Sequence, residues 1–270
     1  MSMNLKTTSA LLTVAFAATT ASANFMDDFD SVGELANNYG YFHFGTNEGG
    51  AGLDANTFSN GASFALDDAN SKVNLYLPDP GGFNFLRLTR GMDAENLYDM
   101  SQPVQLSAKA SGLDNLNFDS IRNPFGLGLD FPEGTNPDIT VKIQLTRSYT
   151  NPPTSRIQVQ ANDGSSFDLP GGAQQTININ VQNKDIVFDI DADSYSLTIG
   201  NTVVIPDTLH GIVFDTAVGG TPFIEAQHIF DGGATDFSVE YFAGTGTAIP
   251  EPASLAMLAL GGIAMIRRSA

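Results

Sequence analysis

Alternation with a period of two restricts this chain more than any other feature. In Ile139-Thr140-Val141-Lys142-Ile143-Gln144-Leu145-Thr146 the apolar side chains fall on one face and the polar ones on the other, because successive side chains of an extended strand point to opposite sides. Ile177-Asn178-Ile179-Asn180-Val181-Gln182 and Phe237-Ser238-Val239-Glu240-Tyr241 read the same way. Further strands are predicted over 39–44, 62–66, 72–77, 83–89, 104–108, 125–130, 156–160, 186–190, 195–199, 211–215 and 223–229. Turn chemistry such as Asn162-Asp163-Gly164, Pro170-Gly171-Gly172 and Gly200-Asn201 separates them. Strands this short, apolar on one face, need a second sheet to cover them. The pattern predicts an all-β chain, an antiparallel β-sandwich, as one domain over 24–248. A less regular stretch, 91–123, holds a short helix or long loops.

The chain has no cysteine, which excludes disulfides, thiolate nucleophiles and Cys-ligated metal sites. Its net charge is −18. Without the terminal Lys6, Arg267, Arg268 and Glu251, the 12 basic and 30 acidic residues become 9 and 29, a net of −20. Phosphate backbones are repelled by such a body, so nucleic acid is not an expected partner. Cations, neutral sugars and basic polymers remain, as does the plain reading that acidity keeps the protein soluble.

Both ends read as addresses. Lys6, the apolar run 11–18 and the small-x-small site Ala21-Ser22-Ala23 read as a signal peptide over 1–23, with the mature chain beginning at Asn24. The alternative, an N-terminal anchor, has an apolar run too short to span a bilayer comfortably. At the other end Pro250-Glu251-Pro252 precedes an apolar segment, 255–266, and then Arg267-Arg268. This tail, 249–270, resembles the PEP-CTERM sorting signal of Gram-negative bacteria, in which a Pro-Glu-Pro motif, an apolar transmembrane helix and a basic end follow in that order. The resemblance implies an exosortase, a membrane-embedded transpeptidase, as processing partner. It also implies display at or release from the cell surface among exopolysaccharide, with only transient membrane contact. A plain tail anchor is the alternative.

The stretch 186–201 reads as a hairpin that turns at Ala192-Asp193 and ends in a Gly-Asn turn. It resembles the hairpin of concanavalin A-like (laminin G-like) jelly rolls. Asp27-Asp28-Phe29-Asp30 and Asp236-Phe237-Ser238-Val239 resemble the paired first and last strands of that superfamily. The fold this implies is a jelly roll, with a signal helix before it and an apolar helix after it.

Candidate sites are few. Asp189, Asp191 and Asp193 are candidate calcium ligands: the first two share the solvent face and the third lies at the turn. The run lacks the EF-hand pattern, and a solvated acidic face is the alternative. Asp27, Asp28 and Asp30 form a second such cluster. His43, His210 and His228 show no metal-ligand spacing, and Glu225 and His228 lie on opposite faces of a strand. No Gly-x-Ser-x-Gly elbow occurs, and the Glu-x-Asp-x-x-Glu run usual in jelly-roll glycosidases is absent. Sugar binding would use flat rings beside amides and carboxylates. Tyr39, Tyr41, Phe42, Phe44, Tyr76, Phe83, Phe85, Tyr98 and Tyr149 are the available rings, most of them explained by strand packing. The reading that results is an exported, surface-sorted protein whose partner is extracellular polysaccharide, bound without catalysis or packed structurally. The alternative is a polysaccharide-degrading hydrolase or lyase.

Overall fold

A computed structural model describes residues 22–78, 83–91, 98–113, 121–122, 124–146, 154–228 and 234–249. The expected terminal helices lie outside these residues, and so do Ala21, Tyr149, Pro250, Glu251, Pro252, Arg267 and Arg268. Among the described residues no helix is long and apolar enough to cross a membrane. Ala23 is described: it is buried, and its N–H donates to the Gly246 carbonyl at 3.0 Å.

The chain runs as β1 (Phe25–Asp27), α1 (Glu34–Asn38), β2 (Tyr39–His43), β3 (Glu48–Ala51), β4 (Ala55–Thr57), β5 (Ser63–Asp67), β6 (Lys72–Leu77), β7 (Asn84–Arg90), β8 (Val104–Ser111) and β9 (Phe125–Asp130). It continues as β10 (Asp138–Thr146), β11 (Thr154–Asn162), β12 (Ser166–Asp168), β13 (Gln175–Ile177), β14 (Asp185–Ile190), β15 (Ser194–Ile199), β16 (Thr202–Leu209), β17 (Thr221–His228) and β18 (Thr235–Thr245). The first sheet is ordered β16-β15-β14-β8-β18-β6-β5-β4, with β1 also on β18. The second is ordered β12-β11-β10-β9-β17-β7-β2-β3, with β13 also on β11. All pairings are antiparallel. The chain crosses between sheets at β1 to β2, β3 to β4, β6 to β7, β7 to β8, β8 to β9, β13 to β14, β16 to β17 and β17 to β18, and β6 faces β7, β8 faces β9 and β17 faces β18 across the core. This is the expected antiparallel jelly-roll sandwich.

The alternation is what makes the two layers. Ile139, Val141 and Ile143 of β10 point inward with Leu127 and Leu129 of β9, against Leu106, Ala108, Ile186 and Phe188 of the first sheet, and all are buried. Removal of these side chains from water is the main driving force, at roughly 25 cal/mol per Å² of apolar surface. The first and last strands pair as expected, in the register Phe25↔Gly244 and Asp27↔Phe242, while 236–239 lie against β6 instead. Asp27 is buried and accepts from Arg90 Nε of β7 at 2.5 Å and from the Tyr39 hydroxyl at 2.8 Å. A charged contact therefore ties the first strand of one sheet to the other sheet.

The sequence reading has no element at α1, β3, β4, β12 or β16, and two of its strands take another form. The stretch 177–182 is a strand only up to Ile177. Beyond it the backbone is held by one hydroxyl: Ser155 Oγ donates to the Ile179 carbonyl at 2.6 Å and accepts from the Val181 N–H at 3.2 Å. Apolar alternation persists there because Ile179 and Val181 still pack on the core. The stretch 211–215 is irregular, held by Asn136, whose Oδ1 accepts from the Asp215 N–H at 2.6 Å and whose amide donates to the Asp215 carbonyl at 3.1 Å. Conversely β16 forms over a segment containing Pro206, which is tolerated because β16 is an edge strand.

Ser155 is fully buried, so its truncation strands two backbone groups. The Ser155→Ala variant is expected to lose about 1–3 kcal/mol in chemical unfolding. A loss below about 0.5 kcal/mol would show that the 177–182 segment is held by its apolar contacts alone.

Candidate functional site

The outward side chains of the second sheet form its least ordinary surface. On β7 and the residue before it, Phe83, Phe85, Arg87 and Thr89 share the outer parity, while Leu86 and Leu88 are core. On β2 and the residue after it, Phe42 and Phe44 point out, and Tyr39, Tyr41 and His43 point in. The Phe44 N–H donates to the Phe85 carbonyl at 3.0 Å, which sets the four phenylalanines side by side. Phe44 and Phe85 stack at 5.5 Å and 8°; Phe42 lies 5.7 Å and Phe83 6.0 Å from Phe85. Phe44 keeps 48% of its surface exposed. Such a shelf of apolar rings standing in water on a sheet face is costly unless something covers it.

Beside the shelf lies a cleft of about 420 Å³ lined by Phe44, Phe83, Phe85, Arg87, Glu225, Gln227, Lys142, Thr140, Asp138 and Gln160, among others. Its floor follows from register. The pairs Arg87↔Glu225, Glu225↔Gly126 and Gly126↔Lys142 place one row of side chains across β7, β17, β9 and β10. Of the three outward positions of β9, the first two are glycines and the third is Asp130, and neighbouring groups lie over the glycines. A Cβ on Gly126 would stand 2.6 Å from Glu225 Cγ, and one on Gly128 would stand 1.8 Å from the Ile139 carbonyl oxygen and 2.9 Å from the Phe223 ring. The Arg87 guanidinium lies 3.8 Å over the same Phe223 ring.

Arg87 organises the acids. Glu225, fully buried, accepts from Arg87 Nε at 3.0 Å and Nη2 at 2.9 Å on one oxygen, and from the Gln227 amide on the other. Asp138 accepts from Arg87 Nη1 at 3.1 Å and from the Phe131 N–H at 2.9 Å. Asp130 also accepts from Arg87 Nη1. A second cleft of about 640 Å³, lined by Asp130, Glu133, Asp138 and Asp163, adjoins the first. With both its oxygens taken, Glu225 is a fixed acceptor and not a free acid or base. Among the described residues no histidine or tyrosine lines either cleft. Burial pushes the Asp130 carboxyl up to about 6 against the pull of Arg87, and nearby Asp138 adds to the rise.

The residues singled out from sequence lie elsewhere. Asp189 and Asp191 face outward on β14, as expected, and line a cavity of about 280 Å³ with Asp207. Asp193 does not join them. Asp189 accepts from the Gln105 amide at 2.7 Å, and Asp191 accepts from the Asp193 and Ser194 N–H groups at 2.9 and 2.8 Å. These backbone donors hold the Asp191 carboxyl below the ordinary range. Among the described residues the group of three carboxylates within 4.8 Å of one another is Asp28, Asp30 and Glu34; Asp27 of the second expected cluster turns inward to Arg90. Each histidine is anchored separately. His43 is bonded to Thr46 Oγ1 at 2.9 Å and Asn84 Oδ1 at 3.1 Å. His210 Nδ1 accepts from the Ile212 N–H at 3.0 Å, so its Nε2 donates to the Asp191 carbonyl at 3.1 Å. His228 is buried on the inner face, opposite Glu225. Of the candidate rings, Tyr39, Tyr41 and Tyr98 pack inward and Tyr76 lies on the first sheet. The sequence signal that marks the site is a pair of Phe-x-Phe dyads, Phe42-His43-Phe44 and Phe83-Asn84-Phe85, in which the polar residue is the buried one.

No protein-family model matches the chain, and no curated protein matches it. Among solved structures the chain is similar to the CBM2 module of the evolved Dit of Lactobacillus casei BL23 phage J-1, at 8% identity over 86% of this chain and 99% of that one, with a TM-score of 0.48. It is similar to alginate lyase AlyC3 in complex with dimannuronate at 8% identity, over 83% and 96%, with a TM-score of 0.46. It is similar to LamAcat from Zobellia galactanivorans at 9% identity, over 82% and 96%, with a TM-score of 0.44. Likeness at this level assigns no activity.

The Asp130 carboxyl holds its proton more tightly folded than unfolded. Its contribution to stability is therefore full below the unfolded value near 4 and is lost as pH rises through about 6. Asp130→Asn, which imitates the protonated form, is expected to melt close to the wild type at pH 4 and above it at pH 7. Melting curves that stay parallel across that range would show that Asp130 is not strained by ionisation.

Proposed function

We propose that this protein is exported, sorted by its tail to the cell surface or extracellular matrix, and binds polysaccharide there without cleaving it. The observation that carries the binding is the exposed phenylalanine shelf at the lip of a cleft whose polar groups are already fixed. Sugar rings offer C–H faces to aromatic rings and hydroxyls to amides, guanidinium and carboxylate groups. Phe44 and Phe85 supply the flat surface, and Gln227, Gln160, Thr140 and Glu225 supply acceptors and donors in the adjoining cleft. Because Arg87 and Glu225 hold each other in place, little ordering is left to be done on binding. The signal and tail resemblances at the two ends support export and processing by an exosortase-type transpeptidase.

Asp130 favours a second reading, a hydrolase in which this carboxyl donates a proton near neutral pH. The two readings separate in one assay. Calorimetric titration with matrix oligosaccharides is expected to show saturable binding with no new reducing ends or unsaturated sugars. The double variant Phe44→Ala, Phe85→Ala is expected to weaken that binding about tenfold or more, since aromatic contacts contribute about 0.5–1.5 kcal/mol each beyond buried area. Its melting temperature should hold, because the Phe44 ring is half in water. Turnover that Asp130→Asn abolishes would replace the binding reading with the hydrolase.

Export is tested on protein recovered from its native cells by intact mass and peptide mapping. A chain starting at Asn24 and ending near Pro250 is expected. A full-length chain in the membrane fraction would overturn the sorting reading and leave a tail anchor.

A further inference from the structure

Four cations of this strongly acidic body are held in ion pairs. Lys72 bridges to Asp67, Arg90 to Asp27, Lys109 to Glu240, and Arg87 to three carboxylates. Two on the outer face of the second sheet are different. Lys142 lines the cleft beside the phenylalanine shelf, yet its ammonium makes no hydrogen bond or ion pair among the described residues. The acids nearest in effect, Glu225 and Asp168, are committed elsewhere. Glu225 is held by Arg87 and Gln227, and Asp168 accepts from the Gln158 and Gln160 amides at 2.7 and 3.2 Å. Burial consequently pulls the Lys142 amine below its ordinary value, with Glu225 and Asp168 only partly offsetting it.

Arg156 is the second. Its Nη1 is buried and donates to nothing among the described residues. Register places it diagonally from Lys142 on the same face: Lys142 pairs with Gln158, and Gln144 pairs with Arg156. Side chains on such a diagonal lie within reach of one anion. Two partly buried cations without counter-charges, in a body of net −20, are destabilising unless an anion completes them. The basic pair stands on β10 and β11 and the ring shelf on β2 and β7, with β9 and β17 between. Three to five strand spacings of about 4.8 Å put the two on the order of 14–24 Å apart, the reach of an extended chain and not of a single sugar.

We propose that the glycan this face binds is acidic: an extended sugar chain whose carboxylate or sulfate groups seat between Lys142 and Arg156 while a neutral ring face rests on Phe44 and Phe85. This rests on the glycan-binding reading above and names the class of glycan. The net repulsion of an acidic polymer by the rest of the body then acts as a filter. Only a chain that delivers its charge to this pair gains from binding, and that gain weakens with salt.

The test uses the purified full chain and four probes of matched length: an oligouronate, its methyl ester, a sulfated neutral oligosaccharide and its unsulfated parent. At least one acidic probe is expected to bind tenfold or more tighter than its uncharged counterpart, with the difference fading between 50 and 500 mM salt, over which the Debye length shortens about threefold. Lys142→Gln and, separately, Arg156→Gln are expected to erase the difference, and Arg156→Gln, outside the cleft lining, is expected to leave the uncharged probe's affinity unchanged. The two variants act independently, so a folding defect in one leaves the other informative, and the salt dependence of the wild type needs neither. Preference for the oligouronate assigns carboxylate, and preference for the sulfated probe assigns sulfate. Uncharged probes binding as well as their acidic counterparts would overturn the acidic-glycan proposal and leave glycan binding standing. Binding of none of the four would overturn both.

Discussion

Arg87 sits where one side chain has to satisfy several others. It lies on the face of Phe223 and meets Glu225, Asp138 and Asp130 from three strands of the second sheet. Taken out of water alone, Glu225 would be among the most expensive groups in the molecule; held on two nitrogens of one guanidinium, it becomes a rigid part of the surface. The fork geometry matters, because a lysine at this position could not reach three carboxylates in fixed directions. Burial disfavours the arginine's charge, and the three carboxylates outweigh that cost and keep it charged. The cleft's shape and its hydrogen-bonding directions descend from this one cation.

The other half of the same arrangement lies beneath the cleft. Inward-facing Leu127, Leu129, Ile139 and Val141 fasten β9 and β10 to the core, while their outward positions are left small or polar. The alternation that builds the sandwich thus also sorts the face that meets solvent. The polar dyad His43–Asn84 is the exception that keeps the phenylalanines out: two polar groups bonded to each other inside occupy the parity that apolar residues would normally take, and the rings take the other.

Most of this architecture was legible in the sequence, because period-two alternation reports burial directly. The hairpin over 186–201 and the strands 72–77 and 125–130 needed nothing more. The misreadings have a common cause: alternation registers which side chains are buried and is blind to where backbone hydrogen bonds go. Ile179 and Val181 alternate, the first partly and the second fully buried, yet a serine hydroxyl replaces the ladder. β16 was hidden by Pro206, which an edge position tolerates. The cleft was not legible for a different reason. Arg87 and Glu225 are 138 positions apart, and only strand order brings them together. The Asp189–Asp193 run drew attention because its residues are adjacent in sequence, whereas the structure spreads them over separate partners.

The two bare positions of β9 have a consequence for the molecule's history as well as its form. Gly126 and Gly128 are already occupied in space, one by the Glu225 side chain and the other by the Phe223 ring and a neighbouring carbonyl. Of the outward positions of β9, Asp130 at its end carries a side chain, whereas 126 and 128 cannot gain one by single substitution. A side chain at 126 would displace Glu225, and with it the seat of Arg87; one at 128 would run into the backbone of β10 itself. Two glycines that do no chemistry themselves thus limit what the floor can come to host, and the lineage can explore new ligands along the rim far more freely.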